Sequence, residues 1–266
     1  MNNLHRHLAP ISDAAWAEIE DEARTTFTAR IAGRRVVDMP DAAGEEFSAL
    51  ATGRVATVDS GVEGVRAQRR EVLTVAELRV PFTVDRQEVD DVARGAVDAD
   101  WDPVKEAAIR IAEAEDRAVF LGSEALGIEG IAPASSNVPV AVPDDVTEFP
   151  AAVAKAVTAL RLEGVGGPYA LLLSADLYTR VAETTDHGYP IHEHVGRVLK
   201  DGDIIWAPAL DGAVLVSTRG GDYELHLGQD LSIGYLSHSA DAVELYLQET
   251  FTFRVATAEA AVELRS

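Results

Sequence analysis

Leu245-Tyr-Leu-Gln-Glu-Thr-Phe-Thr-Phe-Arg-Val255 keeps a period of two for eleven residues. Leu245, Leu247, Phe251, Phe253 and Val255 fall on one face, and Tyr246, Gln248, Thr250, Thr252 and Arg254 fall on the other. That alternation predicts a β-strand. Most strands of soluble domains run about five or six residues, so this one is long. Upstream, Arg219-Gly220-Gly221-Asp222 reads as a turn, after which Tyr223, Leu225 and Leu227 alternate with Asp222, Glu224 and His226. A long sheet with open edges is a hazard for a monomer and a resource for a chain that assembles.

The same tail carries a family likeness. Arg219-Gly-Gly-Asp-Tyr-Glu-Leu-His-Leu-Gly-Gln-Asp-Leu-Ser-Ile-Gly-Tyr235 and Leu247-Gln-Glu-Thr-Phe-Thr-Phe253 resemble the C-terminal signature of encapsulin shell proteins. Matches in the family's order run back through the chain. They are Asn3-Leu4, Leu8-Ala9-Pro10, Trp16-Ala-Glu-Ile19, Ile31-Ala-Gly-Arg-Arg-Val-Val-Asp38, Arg79-Val-Pro-Phe-Thr83, Val119-Phe120, Ile128-Glu-Gly-Ile131 and His187-Gly-Tyr-Pro190. Their joint order carries the likeness; no one of them does alone.

The resemblance implies an α+β chain with the tailed-phage major capsid protein fold of the Hong Kong 97 type. It divides the chain into an N-terminal helix on the peripheral domain (1–42), an extended loop (43–82) and a peripheral domain with a spine helix (83–130). An axial domain (131–221) and return strands of the peripheral domain and extended loop (222–266) follow. It also implies a shell wall: a T=1 icosahedral homo-oligomer of about 60 copies around a guest enzyme. The guest would be a dye-decolorising peroxidase or a ferritin-like protein, held by a C-terminal tag. Catalysis would belong to the guest.

Composition is consistent with that reading. The 266 residues are ample for a core, and 47% hydrophobic with 26% charged residues is a globular balance. The net charge of −22, from 23 basic and 45 acidic residues, argues against nucleic acid as a partner, because phosphate binding needs basic surface. A prophage-derived major capsid protein packaging nucleic acid is the alternative, and it would call for a basic interior. An acidic shell suits a protein guest, although acidity also serves solubility. With no cysteine, disulfides, zinc-thiolate sites and thiol nucleophiles drop out, and a cytoplasmic location is expected. Tyr169-Ala-Leu-Leu-Leu173 is among the longest apolar stretches, too short for a membrane span. Met1-Asn-Asn-Leu-His-Arg-His7 lacks the apolar core of a signal peptide.

Along the chain, Ser12 or Asp13 caps a helix with Trp16, Ile19, Ala23, Phe27 and Ile31 on its apolar face and Gly33 as its stop. Residues 40–82 hold no helical period, and Leu78, Val80, Phe82 and Val84 alternate as a strand. In an encapsulin the stretch would be an arm that embraces a neighbour, since a lone hairpin is unstable. Asp102 caps, and Pro103 begins, the longest helix, with Val104, Ala107, Ala108, Ile111, Ala118 and Val119 inward and Gly122 at its end. It spans about 28 Å. Beyond residue 131 short elements alternate: a loop over Ala132–Asn137, helices over Phe149–Glu163, Ala175–Glu183 and Glu193–Lys200, and strands over Tyr169–Leu173, Ile204–Trp206 and Ala213–Ser217. This texture predicts a compact α/β unit.

No constellation for catalysis emerges. His192 and His194 are two apart, unlike the four-residue spacing of a helical zinc pair. Glu106, Glu113, Glu115 and Asp116 lack the histidine of a ferritin-like Glu-x-x-His pair and read as a solvated helix face. Asp85, Glu88, Asp90 and Asp91 likewise read as surface. Gly164-Val-Gly-Gly-Pro168 has no Lys-Ser/Thr and ends a helix instead of opening one, so it is no phosphate loop. No Gly-x-Ser-x-Gly elbow is present. Catalytic residues, metal and cofactor are therefore expected to be absent.

Two binding roles follow from the likeness. Asp186, His187, Gly188 and Tyr189 match the loop that surrounds the family's five-fold pore. A ring of imidazoles there would gain charge as pH falls; a solvated loop histidine without that role is the plainer reading. Phe27, Ile31, Arg34, Val36 and Asp38, with Asp230, Leu231, Ile233 and Tyr235, match the dock for the guest's peptide. Apolar pockets would accept spaced Leu, Ile or Val side chains and rim charges would set register. Each apolar member reads equally well as ordinary core.

Overall fold

The computed structural model describes residues 3–200 and 202–265. The Ser12 hydroxyl accepts the Ala15 amide at 3.3 Å and starts helix α1 (Asp13–Arg30) by satisfying one of its free donors. Trp16, Ile19, Ala23 and Phe27 bury its apolar face. Gly33 is not where the helix stops. It ends at Arg30, with Ile31 already extended at ψ 124, and the reason is tertiary. The Asp116 carboxylate takes the next two amides, Ala32 at 2.9 Å and Gly33 at 2.7 Å, so these donors have better partners than another helical turn.

Strands β1 (Ala49–Val58) and β2 (Ala67–Thr74) pair antiparallel as a two-stranded hairpin. Strand β3 (Ala76–Asp85) follows, then the short helix α2 (Arg86–Ala93) and the long helix α3 (Asp102–Leu121). Asp102 is not the cap of α3. Trp101 holds that position with no side-chain bond, and the Asp100 carboxylate accepts the Asp102 amide at 2.9 Å. Gly122 ends the helix at φ 75, a left-handed backbone that glycine adopts freely.

Part of the stretch expected as loop becomes a single turn, α4 (Ile131–Ala134), ahead of β4 (Val140–Ala141) and α5 (Phe149–Leu162). Strand β5 (Tyr169–Leu173), helix α6 (Ala175–Glu183), a small hairpin of β6 (Thr185–Asp186) and β7 (Tyr189–Pro190), helix α7 (Ile191–Leu199), and strands β8 (Asp203–Trp206) and β9 (Ala213–Ser217) complete the region. Every residue of β5 and β9 is buried, as expected of strands enclosed on both faces. The tail forms β10 (Tyr223–Leu227), β11 (Ser232–His238), β12 (Ala242–Val255) and β13 (Ala261–Arg265). Strand β13 joins a five-stranded sheet in the order β4-β13-β9-β5-β8.

The long strand β12 is the spine of the other sheet. β3 pairs with it along one side, and β11 and then β10 share the other. Its greasy face is buried as the alternation predicts, but the opposite face is covered too: Tyr246 is 2%, Gln248 1% and Thr252 0% exposed. Arg79 from β3 does part of the covering, with its guanidinium 4.2 Å from the centre of the Tyr246 ring and a 2.5 Å bond to Gln248.

Two hydrophobic cores result, and α3 and β12 run through both. Val104, Ala107, Ala108, Ile111 and Ala112 of α3 pack with Val243, Leu245 and Leu247 of β12 and the face of α1. Ala118, Val119 and Phe120 of α3 pack with Phe251 and Phe253 of β12 and with α5 and the five-stranded sheet. Between the two stretches lie Glu115 and Asp116 on the helix and Glu249 on the strand, at 0%, 1% and 0% exposure. These carboxylates on α3 are not the solvated face read from sequence. They form a polar seam between two cores. No helix among the described residues is long and apolar enough to cross a membrane.

Candidate functional site

The seam lies beside an open groove of about 790 Å³, within the range of binding clefts. Helix α1 contributes Ala23, Phe27 and the following Ile31, and the start of β11 contributes Leu231 and Ile233. Glu20, Arg24, Arg34, Arg35 and Asp230 supply the charge. Helical spacing from Glu20 through Ala23 and Arg24 to Phe27 puts these side chains along one side of α1. Helix and strand meet here because Ile31, Phe27 and Ile233 belong to one core.

Arg34 joins the groove to the seam. Its Nε donates to Glu115 Oε1 at 2.9 Å, and its Nη2 reaches Glu115 Oε2 at 2.5 Å and Glu249 Oε2 at 2.9 Å. Nη1 donates to Asp230 Oδ1 at 2.7 Å. The guanidinium also lies 4.7 Å from the centre of the Phe27 ring, so it lends cation–π contact to an apolar wall. Burial opposes its charge, but Glu115 first, then Glu249 and Asp230, raise its ionisation above the arginine norm.

The buried carboxyls hold their protons more tightly than usual. Burial pushes Asp116 up to about 7, even though the Ala32 and Gly33 amides favour its ionised form. Burial and then the negative charge of Glu115 push Glu249 well above the usual carboxylate range, with Arg34 pulling the other way.

Six of the nine residues assigned to the dock from sequence line this groove: Phe27, Ile31, Arg34, Asp230, Leu231 and Ile233. Val36 and Asp38 lie apart, around a hollow of about 110 Å³ that Tyr223 and Gly220 share. Asp38 ties the chain to the tail there, accepting the Gly221 amide at 2.5 Å and pairing its backbone with Tyr223 and Leu225. Tyr235 is also outside the groove; its hydroxyl meets His238 Nδ1 at 2.6 Å.

Glu115 and Glu249 were legible only in part. Glu115 falls on the helical stripe between Ile111 and Ala118/Val119, and Glu249 falls on the greasy face of β12 between Leu247 and Phe251. A charge at an inward position is the signal in both cases.

Asp186, His187, Gly188 and Tyr189 form the β6–β7 hairpin. His187 (φ 47) and Gly188 (φ 80) are its two turn residues, the left-handed pair of a type I′ turn. The His187 side chain is 97% exposed. Tyr189 is braced from α7, where Arg197 Nη2 donates to its hydroxyl at 2.8 Å and the His194 ring meets it edge-on at 5.6 Å. Among the described residues, no three His, Cys, Asp or Glu side chains gather as a metal-holding group.

A family model described as "Encapsulating protein for peroxidase" matches residues 1–252. A type 1 encapsulin shell protein of Brevibacterium linens is 61% identical over 264 residues, covering 99% of this chain and 99% of that protein. A virus-like particle from Pyrococcus furiosus is a structural neighbour with a TM-score of 0.63 at 17% identity, over 92% of this chain and 97% of the other. The capsid of Myoviridae phage XM1 aligns with a TM-score of 0.51 at 10% identity, over 86% and 89% of the two chains. At such identities the likeness shows the fold, and it is the tailed-phage capsid fold of the Hong Kong 97 type.

Proposed function

The chain belongs to the encapsulin shell-protein family, and from that membership we propose that copies of it close into an icosahedral compartment around a guest enzyme. The guest's C-terminal peptide docks in the groove between α1 and β11. The family's members are structural proteins, not enzymes, so the chemistry is the guest's and the wall's task is containment. The shell is a T=1 particle of about 60 copies, it resides in the cytoplasm, and the guest is a dye-decolorising peroxidase or a ferritin-like protein. The β6–β7 hairpins surround the five-fold pore.

The observation that carries the docking is the composition of one cleft. Phe27, Ile31, Leu231 and Ile233 provide apolar wall, and Arg34 and Asp230 provide an ion pair among them. An extended segment with spaced aliphatic side chains could bury them there while its backbone meets the rim charges. The net charge of −22 supports a protein guest over nucleic acid.

Ile233→Arg tests the reading, because it puts a cation on the apolar wall. Shells isolated from cells that also produce the tagged guest should remain closed by electron microscopy and be empty by gel densitometry. A normal complement of guest would count against the dock.

A further inference from the structure

The charges beneath the groove do not balance. Arg34 bonds three carboxyl groups, those of Glu115, Glu249 and Asp230, and the buried Asp116 follows Glu115 on α3. Glu115 and Glu249 have no exposure at all. Their Oε2 atoms converge on one nitrogen, Nη2 of Arg34, at 2.5 and 2.9 Å. Glu249 Oε1 is buried and meets no donor. As carboxylates the pair would set two buried negative charges on one guanidinium nitrogen, with Glu249 Oε1 left without a donor. A proton on Glu249 removes one of those charges.

We propose that Glu249 keeps its proton at neutral pH, and that this neutral acid positions Arg34 so that the groove grips an apolar peptide and releases it when Glu249 ionises. The proposal rests on the docking reading above and adds its regulation.

The groups facing Glu249 are few. Helix α3 presents Glu115, the turn after α1 presents Arg34, and the approach to β11 presents Asp230. On β3 its register partner is the apolar Leu78, and the adjacent Arg79 is engaged with Gln248 and Glu77. Among the described residues Arg34 is thus the one cation bonded to Glu249. Burial first, and then the charge of Glu115, raises its pKa well above the usual carboxylate range, in keeping with a retained proton.

Coupling to the groove runs through Asp230. Its Oδ1 receives Arg34 Nη1 at 2.7 Å and the Leu231 amide at 2.7 Å, so it fixes the segment that carries Leu231 and Ile233 into the wall. A second full charge below Arg34 competes with Asp230 for the guanidinium and repels it. The wall then loses its anchor.

The test uses intact empty shells and a synthetic glycine–serine peptide carrying spaced leucines. At about pH 7 the infrared carboxylic-acid carbonyl band, to which the buried Asp116 also contributes, should lose intensity in Glu249→Gln. The wild type should bind the peptide about tenfold more weakly at about pH 10 than at about pH 7. Glu249→Gln, which keeps the outline of the protonated acid, should bind at both with the wild type's neutral affinity. An acid band of unchanged intensity in Glu249→Gln, or an equal alkaline loss in that variant, would overturn the retained proton. Failure of the wild type to bind at either pH would overturn the docking reading instead, and the infrared arm alone would then decide the proton.

Discussion

The Gly33 amide donates to Asp116 Oδ1 at 2.7 Å across a sequence separation of 83 residues. The contact pins the end of α1 to α3 where the two cores meet, and it is tight. A Cβ on Gly33 would lie 3.0 Å from that same oxygen and 3.3 Å from Val119 Cγ1. The turn that sets Arg34 over the seam therefore depends on one buried carboxyl group.

Asp116→Ala removes the acceptor of two buried amides, each worth about 1–3 kcal/mol when left unpaired, so equilibrium unfolding should show a loss of a few kcal/mol. The pH dependence is a sharper check. Burial raises the folded pKa to about 7, whereas an unfolded aspartate titrates near about 4. The folded state therefore binds the proton more tightly. Its stabilisation is complete below about pH 4, declines as pH rises to about 7, and is constant above. Asp116→Asn cannot titrate. The Tm of the wild type relative to Asp116→Asn should be highest near about pH 4 and fall across this window; a flat or rising difference would mean that the carboxylate is ionised throughout.

Gly234 gives a second packing test. It pairs with Tyr246 across β11 and β12, and a Cβ there would fall onto the Tyr246 ring. That ring has Arg79 stacked on it and is 2% exposed. Gly234→Ala should cost about 1–3 kcal/mol by overpacking. Adding Tyr246→Leu should bring back part of the loss, because the two sites share one volume. Strictly additive costs in denaturant titrations would show that the ring has room to move.

The period of β12 could be read from sequence because alternation survives even where both faces are covered. Glu249 is legible only as a charge that interrupts the greasy face between Leu247 and Phe251. Glu115 hid for a different reason: a helix rich in Glu106, Glu113 and Asp116 suggests a solvated side, and only its place on the stripe of Ile111 and Val119 betrays burial. Strand β13 and the C-terminal end of α1 were not legible, since each depends on partners far along the chain, such as Val216 opposite Ala261 and Asp116 against Gly33. Six groove residues came from the family likeness, and the separation of Val36, Asp38 and Tyr235 from them needed coordinates.

At the β6–β7 turn, His187 holds a left-handed φ of 47 with its side chain in solvent. Asparagine tolerates that backbone better than most residues. His187→Asn should leave Tm unchanged or slightly raised, while Gly188→Val, at φ 80, should loosen the hairpin at a cost of about 1 kcal/mol or more. Proteolysis at this tip should therefore accelerate in Gly188→Val alone. Equal rates in both variants would place the constraint elsewhere.

The β1–β2 hairpin poses the question of what covers it. Val55, Val62, Val65 and Val72 are 51%, 62%, 56% and 49% exposed, and a two-stranded ribbon with such a surface is not stable by itself. Its charge is opposite to that of the chain: Arg54, Arg66, Arg69 and Arg70 stand against Asp59, Glu63 and Glu71 within a protein of net charge −22. These four arginines are exposed and make no ion pair among the described residues. An acidic neighbouring copy is the surface that suits them. Arg69→Glu with Arg70→Glu should change unfolding of the isolated subunit by no more than about 0.5 kcal/mol, because nothing in its own fold uses these side chains. Closed particles should nevertheless become scarce by gel filtration and negative-stain microscopy. High salt should weaken wild-type assembly in the same direction, through screening. Full yields of closed particles from the double variant would mean that the arm docks by its valines alone.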